Sequence, residues 1–92
     1  MINEKPFVKV YPNPAEGNTI NLQFTNEPAG RYTIRLLNAA GLSILSKSIS
    51  HPGGSCKQSF NLPANIASGA YEVEIIDPNK EKGTQILLVN KQ

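Results

Sequence analysis

The stretch Ala70–Asp77, which reads AYEVEIID, decides the fold class of this 92-residue chain. Apolar and charged residues alternate along it with a period of two: Tyr71, Val73 and Ile75 against Glu72 and Glu74. That period sends successive side chains to opposite faces of a β-strand. The stretch therefore predicts a half-buried strand whose two glutamates point outward to solvent.

Six further segments carry strand signals, because runs of Val, Ile, Leu and Phe alternate with turns rich in Gly, Pro and Asn. They cover residues 7–11, 19–24, 31–38, 42–49, 55–62 and 84–89. Helical periodicity is missing throughout. Seven short strands at this spacing predict an all-β fold, an Ig-like antiparallel β-sandwich that buries both apolar sets between two sheets. A small open β-barrel is the alternative architecture.

Three strands carry additional information. Residues 7–11 lie between Pro6 and Pro12, and a proline cannot donate to a ladder, so we expect an edge strand there. Leu37 interrupts its strand's alternation and predicts a bulge or burial on both faces. Residues 84–89 are apolar on both faces, which predicts weak homodimerisation by strand addition at high concentration.

Composition narrows the function classes. The length suits one small domain, in which we take residues 1–6 as linker and residues 7–92 as the folded unit. Nine basic residues are scattered for a net charge of +2, so nucleic-acid binding is not expected. No apolar stretch reaches the roughly 18 residues of a membrane span. No apolar region follows Lys5, so we expect no signal peptide here.

Catalytic and metal-binding patterns are missing. His51 is the only histidine and lies in a Pro/Gly-rich turn, where we expect it to be exposed. Cys56 is the only cysteine, is expected to be half-buried, and cannot form an intrachain disulfide. The oxygens at residues 77–81 could suggest calcium, but a turn bonded to its own backbone explains them. We therefore expect no catalytic site, metal site or cofactor.

Four short motifs occur in a fixed order along the chain. Tyr11-Pro12-Asn13-Pro14 follows the first strand, and Asn38–Gly41 forms a turn between two apolar strands. Gly69-Ala70-Tyr71 opens a later strand, and Gln85–Lys91 closes the chain. In order, spacing and position the motifs resemble the C-terminal sorting domain of type IX (Por) secretion substrates of Bacteroidetes. The family more often has Asp at residue 38 and Lys at residue 85.

The resemblance implies a function as an address label. The domain would target an N-terminal passenger from the periplasm through the outer-membrane type IX translocon, to the cell surface or the medium. A sortase-like cysteine peptidase would then cleave ahead of the domain, which is itself not an enzyme. The sorting-signal residues carried over are Pro12, Asn13, Pro14, Gly41, Gly69, Tyr71, Lys82 and Lys91.

A second interpretation is a small carbohydrate-binding or adhesive β-sandwich module of a secreted protein. Such modules present exposed aromatic rings on which sugars stack. Tryptophan is absent, and the three tyrosines and three phenylalanines fall mostly on inward-facing positions. The residues that would stack on a sugar are therefore not evident in the sequence.

Overall fold

A computed structural model describes residues 7–90 and shows seven strands in two antiparallel sheets. The strands are β1 (Phe7–Tyr11), β2 (Thr19–Glu27), β3 (Gly30–Leu37), β4 (Ser43–His51), β5 (Gly54–Asn61), β6 (Gly69–Ile76) and β7 (Lys82–Val89). The predicted all-β sandwich is thus confirmed. This part of the chain contains no helix that could cross a membrane. The assigned linker and Lys91 lie outside the described residues.

The sheets have three and four strands, in the orders β1-β2-β5 and β4-β3-β6-β7. The chain changes sheet after β2, β4 and β5, so strands distant in sequence are stacked over one core. β1 and β5 are the outer strands of the smaller sheet, and for β1 this confirms the edge position that its flanking prolines predicted. β4 and β7 are the outer strands of the larger sheet.

The core lies between the inner faces of the two sheets. The apolar set predicted for β6, namely Tyr71, Val73 and Ile75, is confirmed as buried. The alternate residues of two other strands are buried with it: Ile20, Leu22 and Phe24 of β2, and Tyr32, Ile34 and Leu36 of β3. Phe24 and Tyr32 meet edge to face, with ring centroids 5.2 Å apart. Aromatic pairs in this geometry contribute about 0.5–1.5 kcal/mol beyond the area that they bury.

The β3–β4 hairpin has the turn and the bulge that the sequence predicted. Its register shifts between Leu36 and Leu37. At the turn, Asn38 Oδ1 accepts hydrogen bonds from the backbone N–H groups of Ala40 (3.0 Å) and Leu42 (2.9 Å). Gly41 adopts φ +85°, a left-handed conformation that glycine reaches without a Cβ clash.

The expectation that His51 is exposed is wrong. β4 runs through His51, which is only 2% exposed and stacks on Phe24 at 4.9 Å between ring centroids. One ring nitrogen, Nε2, lies 3.2 Å from Gly54 O and the other, Nδ1, lies 3.1 Å from Cys56 Sγ. The following Pro52 made the residue resemble part of a turn, but the strand ends only after the imidazole has entered the core.

The expectation that both glutamates of β6 are solvated is also wrong for one of them. Glu74 is only 6% exposed and is held by Arg35 Nε at 3.0 Å and by Lys82 Nζ at 3.4 Å. A carboxylate is buried in this way when cations compensate for its lost hydration. Glu72 is half-buried on the same outer face.

The sandwich has two distinct ends. β1 finishes, β2 starts and β7 finishes at one of them, which also carries the turns at residues 12–18, 38–42 and 62–68; we call it the C-terminal pole. The opposite, N-terminal pole carries Phe7 and the turns at 28–29, 52–53 and 77–81. Chain segments preceding and following the sandwich therefore join it at opposite poles.

Candidate functional site

The Pro-Asn-Pro motif lies against the outer edge of β7. Asn13 Oδ1 accepts a hydrogen bond from Leu88 N at 2.9 Å, and Asn13 Nδ2 donates to Ile86 O at 2.8 Å. One side-chain amide thus satisfies the donor and the acceptor that a neighbouring strand would otherwise satisfy. Pro12 and Pro14 flank it and are exposed, and the peptide bonds preceding both are cis.

Ala15 continues this pairing by one more step. Its N–H donates to Leu88 O at 2.7 Å, and its carbonyl accepts from Asn90 N at 2.8 Å, which forms a parallel bridge with Val89. Ala15 is completely buried. Residues 13–15, which we call the edge cover, therefore act as a short extra strand beside the end of β7. The sequence motif ended at Pro14, so sequence reasoning missed this alanine.

A second side-chain amide, that of Gln85, makes the reverse contact from β7 to the edge of β1. From β7, Gln85 Oε1 accepts a hydrogen bond from Val10 N at 3.2 Å, and Gln85 Nε2 donates to Val8 O. The edge of β1 is thereby satisfied by a residue 75 positions later in the chain. Together Asn13 and Gln85 link the two sheets where each would otherwise present an open edge.

Gly69 and Tyr71 lie beside the same end of β7. Gly69 pairs with Val89 and takes φ +155°, and Tyr71 pairs with Leu87. Tyr71 is buried, and its hydroxyl donates to Ala67 O at 2.7 Å, which ties the β5–β6 connection to the sandwich. These two motif residues fix the start of β6 against the end of the chain.

Gly41 lies on the turn next to this group. The turn residues 38–41, the start of β6 at residues 70–72 and Ile86 line an open hollow of about 380 Å³. Most members of the predicted signal set therefore meet at the C-terminal pole: Pro12, Asn13, Pro14, Gly41, Gly69 and Tyr71.

Lys82 does not join them. It opens β7 at the N-terminal pole, opposite Ile76, and its ammonium group lies beside Glu74. Lys91 lies beyond the residues that the structure describes. The predicted set thus divides into a cluster around the end of β7 and one distant lysine already engaged in an ion pair.

Apolar side chains are exposed close to the cluster. Ile86 and Leu88 are 54% and 46% exposed, while Leu87 and Val89 between and beyond them are buried. The two-sided apolar character of this strand is as predicted. Leu42 and Ile44, just after the Asn38–Gly41 turn, are also exposed, which the sequence did not reveal.

No group of three or more His, Cys, Asp or Glu side chains within residues 7–90 could hold a metal ion. The turn interpretation of residues 77–81 is confirmed for Asp77, whose Oδ1 accepts from the N–H groups of Asn79 and Glu81 at 2.9 and 2.8 Å. Of the aromatic residues whose burial is described, Phe24, Tyr32, Phe60 and Tyr71 are buried, which leaves few rings for sugar stacking.

Comparison with known proteins separates the fold from the function. CopC from Methylosinus trichosporium OB3b superposes with a TM-score of 0.65, at 14% sequence identity and with 96% of each chain covered. At that identity the likeness concerns the fold alone. No curated protein matches the sequence. The family model of the secretion system C-terminal sorting domain matches residues 9–90, nearly the whole chain. The chain therefore belongs to the family of secretion system C-terminal sorting domains, the signals of type IX secretion.

Proposed function

We propose that residues 7–92 direct an N-terminal passenger through the outer-membrane type IX translocon and are then removed by a sortase-like cysteine peptidase. The observation that carries the proposal is the family match over residues 9–90, in a chain whose motifs cluster at the end of its last strand. The passenger travels from the periplasm to the cell surface or the medium. The domain is the cargo label and the substrate of the machinery, and members of this family are typically non-catalytic.

The positions of the two poles support a domain that carries its passenger at one end and is recognised at the other. A passenger joins ahead of Phe7, at the N-terminal pole, whereas the motif cluster lies at the C-terminal pole. β1 rises about 3.3 Å per residue between them, so even its five residues separate the two ends by more than 10 Å. A folded passenger can therefore remain attached while the translocon engages the opposite end.

The proposed cleavage position is compatible with an intact sandwich. A cut ahead of Phe7 leaves β1 with all of its pairing to β2, from Phe7–Thr25 to Tyr11–Asn21. Gln85 also keeps its contacts with Val8 and Val10. The peptidase would therefore release the passenger without having to unfold the domain.

The test is a reporter fused ahead of this chain, preceded by an export signal for the inner membrane. It is expressed in a host with the type IX translocon and in an isogenic strain that lacks the translocon. We expect the reporter at the surface or in the medium of the first strain, without the domain, and in the periplasm of the second. Mass spectrometry of the exported reporter locates its new C-terminus. Equal distribution in the two strains would overturn the proposal.

A further inference from the structure

Glu72 and Glu74 are two residues apart on the outer face of β6 but differ in their partners. Glu74 has both neighbouring cations, Arg35 and Lys82. Glu72 is half-buried and takes part in no ion pair within residues 7–90. Because Glu72 lines an open hollow, its carboxylate is accessible to a cation that a partner brings.

The surroundings of Glu72 are mostly apolar, with the Asn38 side chain of the neighbouring turn as a polar exception. Its cross-strand neighbours are Leu37 on β3 and Ile86 on β7. Ala39, Ala40, Ala70 and Ile86 line the open hollow with it, and Leu88 lies opposite Ala70 on the same face. We call this surface the Glu72 hollow. It combines one carboxylate with exposed aliphatic walls.

These features together select the chemistry of an occupant. A lysine or arginine side chain has an aliphatic stem that packs on apolar surface and a cation at its tip. In the Glu72 hollow the stem would lie against Ile86 and Ala70 while the tip reaches the carboxylate, forming a charge-assisted hydrogen bond. A volume of about 380 Å³ accommodates such a side chain together with part of an adjacent apolar residue.

We propose that the Glu72 hollow is a docking site for a lysine or arginine flanked by apolar residues, presented by a protein of the type IX machinery. This rests on the proposed function and names the surface that the machinery contacts. The hollow lies at the C-terminal pole, away from the passenger attachment ahead of Phe7, so a passenger leaves it open.

The same charge disfavours two other occupants. An anionic lipid surface would meet the carboxylate with like charge. A second copy of this chain, docked by two-fold symmetry through the same patch, would bring one Glu72 towards the other. A basic protein segment is the occupant that gains from both the carboxylate and the aliphatic walls.

A peptide titration tests the chemistry. The probe is acetyl-Leu-Lys-Leu-amide, with norleucine in place of lysine as the control peptide, followed by the methyl NMR signals of Ala39, Ala70 and Ile86. We expect these signals to shift and the lysine peptide to bind about two- to five-fold more tightly at low salt, within the range for a partly exposed ion pair. Glu72→Gln should abolish the difference, whereas Glu81→Gln, an exposed glutamate at the other pole, should keep it.

Three results of these measurements would overturn the proposal: equal affinity of the two peptides, methyl shifts confined to another surface, or no shift at millimolar peptide. Vesicles containing anionic lipid that bind the domain and shift the methyl signals of Ala39, Ala70 and Ile86 would also overturn it. So would a dimer, detected by analytical ultracentrifugation, whose interface covers Ala39 and Ala70.

Export in cells tests the role of the surface. Glu72→Lys and Glu81→Lys make the same charge change at opposite poles, and Glu72→Gln removes the charge without changing the shape. We expect Glu72→Lys to reduce reporter export at least about five-fold, Glu72→Gln less, and Glu81→Lys not at all, with thermal unfolding unchanged in each. If the unmodified fusion is not exported, the proposed function itself fails. If it is exported and folded Glu72→Lys is exported equally well, only the docking site is wrong.

Discussion

Asn13 and Gln85 form a reciprocal pair of contacts between β1 and β7. The side chain of Asn13, which follows β1, bonds to the backbone edge of β7, and the side chain of Gln85, which lies on β7, bonds to the backbone edge of β1. Asn13 bonds to Leu88 and Ile86 on β7, and Gln85 on β7 bonds to Val10 and Val8 on β1. Two side-chain amides thus supply the hydrogen bonds that a neighbouring strand's backbone would supply, at the place where the edges of β1 and β7 meet. The most recognisable motif of the sequence therefore has a structural task, which is to hold the final strand in place.

Asn13→Ala should destabilise the domain by about 1–3 kcal/mol, because it removes two hydrogen bonds that each contribute about 0.5–1.5 kcal/mol. Urea unfolding measures the loss. The matched control is Asn65→Ala, an exposed asparagine in a turn at the same pole, which should stay within about 0.5 kcal/mol. Equal stabilities for the two variants would show that the edge cover contributes nothing.

The same variant tests self-association. In the native domain the edge cover occupies the Ile86–Asn90 part of the β7 edge, where strand addition would otherwise occur. Weak homodimerisation through residues 84–89 stays a prediction, and we expect Asn13→Ala to strengthen it. Sedimentation velocity over a concentration series is the measurement. A variant as monomeric as the parent at millimolar concentration would argue against an exposed edge.

His51→Ala should cost about 3 kcal/mol or more in unfolding free energy, because it opens a cavity beside Phe24 and leaves Gly54 O without its ring partner. Cys56→Ala removes a half-buried thiol and a weak hydrogen bond, and should cost about 1 kcal/mol or less. Urea unfolding compares the two. If His51→Ala lowers the unfolding free energy by no more than about 0.5 kcal/mol, the residue behaves like an exposed turn residue and the prediction is wrong.

Tyr32 should make the domain sensitive to alkaline pH. Burial, with a smaller contribution from the hydrogen bond to Glu27, raises the pKa of its hydroxyl above the usual value of about 10. Because the folded state holds this proton more tightly than the unfolded state, stability is full below pH about 10 and falls as pH rises above it. Tyr32→Phe should be less stable at pH 7, having lost the bond to Pro28 O, and its deficit should shrink at higher pH. A constant deficit in urea unfolding between pH 8 and 11.5 would contradict this.

The two lysines of the predicted signal set should behave differently. Lys82 is engaged with Glu74 at the N-terminal pole, so Lys82→Ala should cost at most about 1 kcal/mol and leave reporter export unchanged. Lys91→Ala should lower export at an unchanged melting temperature if the machinery reads the charged tail directly. Unchanged export for both folded variants would exclude direct reading of these lysines.

The sequence predicted the features that arise from neighbouring residues. Strand number, inward faces, the bulge at Leu37 and the Asn38–Gly41 turn all follow from a period of two or from local turn chemistry. The missed features join distant parts of the chain. The Asn13 and Gln85 bonds span 73–77 residues, and the burial of His51 depends on the facing Phe24. Local periodicity carries no information about which edges and inner faces meet after three changes of sheet.

We propose that the Pro-Asn-Pro motif serves sorting by keeping the C-terminal strand folded. The measurement is export of the Asn13→Ala reporter fusion at a series of growth temperatures, compared with the folded fraction of the same variant from thermal unfolding. We predict that export follows the folded fraction and returns to the parental level at temperatures where the variant is fully folded. Export that stays abolished in a fully folded variant would contradict the claim, because Asn13 would then be read directly by the machinery.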